Sequence, residues 1–192
     1  AHNELLEMIS NNLEEDIVKI SLDIANGLKS GSTLFFCGNG GSASDSQHLA
    51  AEFSGRYYLN RPPLHAEALH TDTSFMTAVS NDFSFDEVYA RLIQGIGKQG
   101  DILIGMSTSG NSKNVLEAFR VAKEKGMKTI LVTRNSVNNC NDFFDLVISL
   151  EGTSEFPGQT GGNNNNFHFE DVLSKITHIS VGLLKEKVNN EN

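Results

Sequence analysis

The chain has 192 residues, 39% hydrophobic and 20% charged, with a formal net charge of −9 at pH 7. That length and balance fit one soluble globular domain with a sizeable core, and the acidic excess argues against a broad nucleic-acid footprint. No apolar run approaches the roughly 20 residues that cross a bilayer, no secretory signal is visible, and the distant Cys37 and Cys140 form neither a disulfide framework nor zinc-knuckle spacing; a reduced, cytoplasmic setting is expected.

The first predicted element is a long helix over about residues 3–29, where Leu5, Leu6, Ile9, Leu13, Ile17, Ile20, Ile24 and Leu28 recur at helical spacing. Asn26-Gly27 and Gly31 mark its end. Short apolar strands then alternate with helices over about 30–150: strand 33–37, helix 43–57, strand 66–70, helices 72–80 and 85–96, strand 101–106, helix 112–125, and strands 128–133 and 144–150. This alternation predicts an α/β fold, a parallel sheet with helices on both faces. The polar segment 157–166, rich in Asn and Gly, reads as a loop or a lid before a final helix over about 168–187. No repeat and no second domain is visible, so 1–192 reads as one domain.

Two serine-bearing loops stand where a strand hands over to a helix. Cys37-Gly38-Asn39-Gly40-Gly41-Ser42 follows the first strand, and Ser107-Thr108-Ser109-Gly110-Asn111-Ser112 follows the third. Loops of this kind aim N–H groups and hydroxyls at one point while the next helix adds its positive end, which suits a phosphate. Capping the helix needs only one hydroxyl, Ser109 or Ser112. The surplus favours anion binding, with help from cations such as Arg56 and Arg61. Gly38 to Ala43 also fits the G-x-G-x-x-A dinucleotide pattern, but the following strand lacks a well-placed acidic end and the second serine loop would go unexplained. No nucleotide cofactor is therefore expected.

His48 and Glu52 are four residues apart on the helix after the first loop. Glu170, Ser174 and His178 repeat that spacing on the final helix, with Asp171 near the same face. A base beside a carbonyl and an acid or metal for the enediolate would serve aldose–ketose isomerisation. Imidazole and carboxylate donors also suit zinc. Surface pairing along a helix is the plainer reading of the same spacing.

Together, residues 37–43, Gln47 to Tyr57, Asn81-Asp82-Phe83 and 107–112 resemble the phosphoheptose isomerases of the sugar isomerase (SIS) domain superfamily, most closely over about 30–150. The resemblance implies a single SIS domain with a Rossmann-like, five-stranded parallel sheet. It also implies a homotetramer with active sites between subunits and an assembly role for the N-terminal helix. Ser107, Thr108, Ser109 and Ser112 would grip the sugar phosphate; Asn39, Gly40 and Ser42 would line the sugar side; Asp82 would approach it. Arg56 would orient the acidic group or the substrate. Glu52 would be the general base and His178 the complementary acid. His48, Glu52, Glu170 and His178 would hold one zinc per subunit, with Glu170 also reaching substrate.

The final helix departs from the family pattern: His168-Phe169-Glu170-Asp171 stands where the family has Arg-Ile-Gln-Glu. A carboxylate in place of an amide supplies charge as well as an oxygen. The expected reaction is conversion of sedoheptulose 7-phosphate to D-glycero-D-manno-heptose 7-phosphate, towards the activated heptose of lipopolysaccharide core, capsule or related glycans. An isomerase of another phosphosugar, or a non-catalytic tetramer binding a partner such as a replication initiator, stands as the alternative.

Overall fold

In the computed structural model, residues 13–58, 60–133, 141–149 and 179–180 are described. The elements run α1 (Glu14–Lys29), β1 (Leu34–Gly38), α2 (Gly41–Ser54), β2 (Ala66–Ala68), α3 (Thr73–Asp82), a 3-10 turn (Phe85–Glu87), α4 (Val88–Ile96), β3 (Ile102–Ser107), α5 (Lys113–Glu124), β4 (Lys128–Thr133), a second 3-10 turn (Asn141–Phe143) and β5 (Leu146–Ser149). Residues 1–12, the 157–166 segment and all of the predicted final helix except Ile179 and Ser180 lie outside the described residues; those two are helical.

All five strands are parallel, in the order β2-β1-β3-β4-β5. Alternate strand residues point to opposite faces, and here both sets are apolar. Leu34, Phe36, Ile102, Ile104, Met106, Ile130 and Val132 pack with Ile17, Ile20, Ile24 and Leu28 of α1 and Leu49, Ala50 and Phe53 of α2. On the other face Phe35, Cys37, Leu103 and Leu131 pack with Val88, Tyr89 and Ile93 of α4 and Val115, Ala118 and Phe119 of α5. The sheet is thus the middle of three layers, which explains why its strands read as continuous apolar runs.

Among the described residues the predicted element order holds, with shifted ends. β2 stops at Ala68, because the chain turns where the Thr71 hydroxyl donates back to the Ala68 carbonyl. The 85–96 helix divides at Glu87 into a 3-10 turn and α4. Asp101 stays out of β3 and buries its carboxylate against the Thr33 and Lys98 N–H groups at 2.7 and 2.8 Å. α2 begins at Gly41, so Ser42 belongs to the helix rather than to the loop, and it ends at Ser54 rather than 57.

Sheet order decides where a ligand can enter. From β1 the chain crosses to β2 on one side, and then passes back to β3 on the other side of β1. Crossovers leaving in opposite directions open a crevice at the carboxyl ends of β1 and β3, the topological switch point where open α/β sheets bind ligands. Both serine loops leave the sheet there.

Candidate functional site

The first loop leaves β1 through Gly38, where a Cβ would lie 2.7–2.9 Å from the side chain and backbone of Ser42. Only glycine lets α2 start so close to the strand. Gly40 has φ +57°, in the range that favours glycine. The Ser42 N–H then bonds to the Asn39 carbonyl and the Ala43 N–H to that of Gly40, both at 3.1 Å. Ser42 is buried, and its carbonyl accepts the Ser46 hydroxyl at 2.7 Å. Beneath the loop, burial pushes the Cys37 thiol well above its usual range, leaving it inert.

In the second loop Ser107 ends β3 and is buried, rather than standing free in the loop. Its hydroxyl meets that of Ser112 at 2.9 Å and accepts the Ser112 N–H at 3.4 Å. Gly110 closes the turn by donating to the Ser107 carbonyl at 3.0 Å, and the Ser109 hydroxyl accepts the Asn111 N–H at 3.2 Å. Ser112 occupies the cap position of α5 without a side-chain capping bond. Asn114 serves the helix start instead, its Oδ1 accepting the Val115 N–H at 3.0 Å. Neither α2 nor α5 carries an acidic residue in its first turn, whereas α1 carries three. Both helices at the crevice therefore present uncompensated positive ends, the electrostatics an anion requires.

The loops are tied together. Asn39 Nδ2 donates to Asn114 Oδ1 at 2.9 Å, and Asn114 Nδ2 returns a bond to Asn39 Oδ1 at 2.8 Å. Asn114 is a polar residue on the buried stripe of α5, beside Val115, Ala118 and Phe119. In the sequence it shows only as an amide interrupting an apolar stripe.

Along α2, His48 Nε2 stands 3.2 Å from Glu52 Oε1, as the spacing predicts, with side-chain exposures of 56% and 25%. Arg61 holds the end of this helix. Its guanidinium donates to the carbonyls of Phe53 and Glu52, each at 2.8 Å, and to that of Pro62 at 3.0 Å. Burial lowers its pKa, with the Glu52 charge acting the other way. Expected as a phosphate cation, Arg61 is instead spent on orphan helix carbonyls, where a cation is favoured. Arg56 is exposed just beyond the helix, and Asp82 is exposed at the end of α3, where it accepts the Asn81 amide at 2.9 Å. No hydrogen bond joins either to the serine loops among the described residues.

Glu170 and His178 lie outside the described residues, and within these no group of three or more His, Cys, Asp or Glu is gathered for a metal. The His48–Glu52 pair supplies an imidazole and a carboxylate at one point, which fits half of the expected zinc set. A cleft of about 620 Å³ between α4 and α5, lined by Asp86, Arg91, Lys113, Glu117, Arg120 and Glu124, includes none of the predicted site residues. No helix among the described residues is long and apolar enough to cross a membrane.

Residues 1–134 match the family model described as the SIS domain. The phosphoheptose isomerase of Akkermansia muciniphila is 46% identical over 173 residues, covering 90% of this chain and 86% of that protein. Among solved structures, the phosphoheptose isomerase of Neisseria gonorrhoeae superimposes with a TM-score of 0.78 at 31% identity, covering 92% of this chain and 89% of the other. That of Francisella tularensis gives 0.80 at 27% identity, covering 92% and 91%. With that identity over most of its length, the chain is an isomerase that belongs to the SIS domain family and, within it, to the phosphoheptose isomerases.

Proposed function

We propose that this protein interconverts sedoheptulose 7-phosphate and D-glycero-D-manno-heptose 7-phosphate, and so feeds nucleotide-activated heptose synthesis for surface glycans. The observation that carries this reading is the pairing of two serine loops at one topological switch point, with a base-bearing helix leaving the first. The 46% identity to a phosphoheptose isomerase supports the choice of sugar.

In this reading Ser107, Thr108, Ser109 and Ser112 hold the phosphate with the positive end of α5. Asn39, Gly40 and Ser42 face the sugar, with Arg56, Asp82 and Glu170 completing the enclosure. Glu52 takes a proton from the carbon beside the ketone while His178 gives one to the carbonyl oxygen, producing an enediol. His178, now the base, takes the proton of the neighbouring hydroxyl as Glu52 returns its own to the former carbonyl carbon; the carbonyl has moved by one position and both groups are back in their starting forms. His48, Glu52, Glu170 and His178 would hold a zinc ion, which when bound would stabilise the charge developing on the substrate oxygens.

The same reading places the enzyme in the cytoplasm as a homotetramer with sites between subunits. Val18 and Leu22, 40% and 42% exposed on the outer side of α1, offer an apolar face for that assembly. Following purified protein with sedoheptulose 7-phosphate by NMR tests the reaction. An aldose signal that disappears in Glu52→Gln supports it. No turnover, with or without added zinc, would sink the substrate assignment.

A further inference from the structure

We propose that Asn114 is a positioning residue for the sugar pocket, setting which way the Asn39 carboxamide presents its donor and acceptor. The inference rests on the phosphosugar reading above and adds a residue to it. A carboxamide has two N–H donors and two acceptor lone pairs, and its oxygen and nitrogen ends are told apart only by their partners. At Asn114 the partner settles the matter. The Val115 backbone N–H, shared between the Ser112 carbonyl and the Asn114 side chain at 3.0 Å each, can only donate, so the atom of Asn114 that it meets is the oxygen.

That assignment propagates. The Asn114 oxygen also receives Asn39 Nδ2 at 2.9 Å, and the Asn114 nitrogen donates to Asn39 Oδ1 at 2.8 Å. Polarity passes from the first turn of α5, through a side chain only 2% exposed, to an amide at the mouth of the first loop. Asn39 keeps one N–H and one lone pair beyond this pair, in fixed positions. A sugar hydroxyl, which donates and accepts at once, is the ligand group that matches them. The pair also clamps the loop after β1 to the helix after β3, so it sets the spacing between sugar pocket and phosphate cradle.

The test is a double-variant cycle read by calorimetric titration. Wild type, Asn39→Ala, Asn114→Ala and the double variant are titrated with sedoheptulose 7-phosphate and, separately, with inorganic phosphate. Each single change should weaken the sugar phosphate by about tenfold, one hydrogen-bonding arrangement lost. The double variant should be no weaker than either single one, and inorganic phosphate affinity should change less than about threefold throughout. Asn114→Ser, which stays polar and uncharged on the buried stripe but is too short to pair with the Asn39 carboxamide, should reproduce the loss if the alanine variant fails to fold. Additive losses, or equal losses for inorganic phosphate, would show Asn114 to be only a helix support and overturn the proposal. If wild type binds phosphate but not the heptulose phosphate, the substrate reading falls and this inference with it.

Discussion

The Tyr89 hydroxyl donates a 2.6 Å hydrogen bond to the Gly38 carbonyl, joining the buried face of α4 to the last residue of β1 across 51 positions of sequence. Tyr89 is 1% exposed, and burial pushes its phenol well above the usual range, so it remains a donor at any working pH. The bond anchors the first serine loop from below. Tyr89→Phe keeps the ring and strands the carbonyl in a dry environment, at a cost of about 1–3 kcal/mol. Chemical denaturation should register that loss, with a rise in KM from a looser Asn39. An unchanged denaturation midpoint would show the bond to be incidental.

Three glycines make a graded experiment. At Gly105, in mid-β3, a Cβ would lie 2.5 and 2.6 Å from the Phe119 ring and 2.9 Å from Val115 Cγ1. Gly105→Ala should cost about 1–3 kcal/mol by forcing α5 off the sheet. At Gly38 the obstruction includes Ser42 backbone atoms at 2.8 and 2.9 Å, which cannot rotate away. Gly38→Ala should therefore displace α2 and cost activity as well as stability. Gly95, in α4, would place a Cβ in open space, so Gly95→Ala should stabilise by about 0.5–1 kcal/mol. Thermal melts of the three variants should rank Gly95→Ala above wild type and the other two below.

The signals legible in the sequence are local. Alternating apolar runs predict the β1 and β3 strands, and glycine and serine clusters mark the loops after them, because both signals depend on neighbours in sequence. The spacing of His48 and Glu52 predicts their meeting for the same reason. Asn114 and Tyr89 escaped because their partners are 75 and 51 residues away and depend on how the layers stack. Arg61 shows how composition misleads. A cation near a proposed phosphate site looks available until the carbonyls of α2 claim it.

Asp145 provides a pH test away from the site. Burial alone would raise its pKa, but hydrogen bonds from the Lys123 ammonium and from the Thr129 N–H and hydroxyl outweigh it, and the net shift is downward. A carboxylate with a depressed folded-state pKa contributes stability that is present above the unfolded value near 3.8 and is lost as pH falls through the folded value. Solvent screening at this partly exposed pair limits the gain to about 1 kcal/mol. Asp145→Asn should be less stable than wild type by about that much at pH 7, with the gap closing below about pH 3–4. Denaturation curves with a constant gap across this range would exclude the charge as its source.

Metal content separates the His48–Glu52 pair from an ordinary surface contact. If the pair forms half of a zinc set with Glu170 and His178, protein purified without a histidine tag should carry about one divalent ion per subunit. His48→Ala should lose it, since neither the remaining imidazole nor the carboxylates replace a nitrogen donor. Glu170→Gln, which restores the family's amide, should keep the ion but bind it about tenfold more weakly, because an oxygen remains while a negative charge is removed. Competition with a chromogenic chelator gives these affinities without measuring turnover. Equal affinity in Glu170→Gln and wild type would mean that the carboxylate at Glu170 does not face the ion, leaving Asp171 as the acidic partner to examine. Metal-free protein that isomerises substrate in the presence of chelator would leave Glu52 and His178 to act by acid–base chemistry alone, with His48 only a helix-surface partner of Glu52.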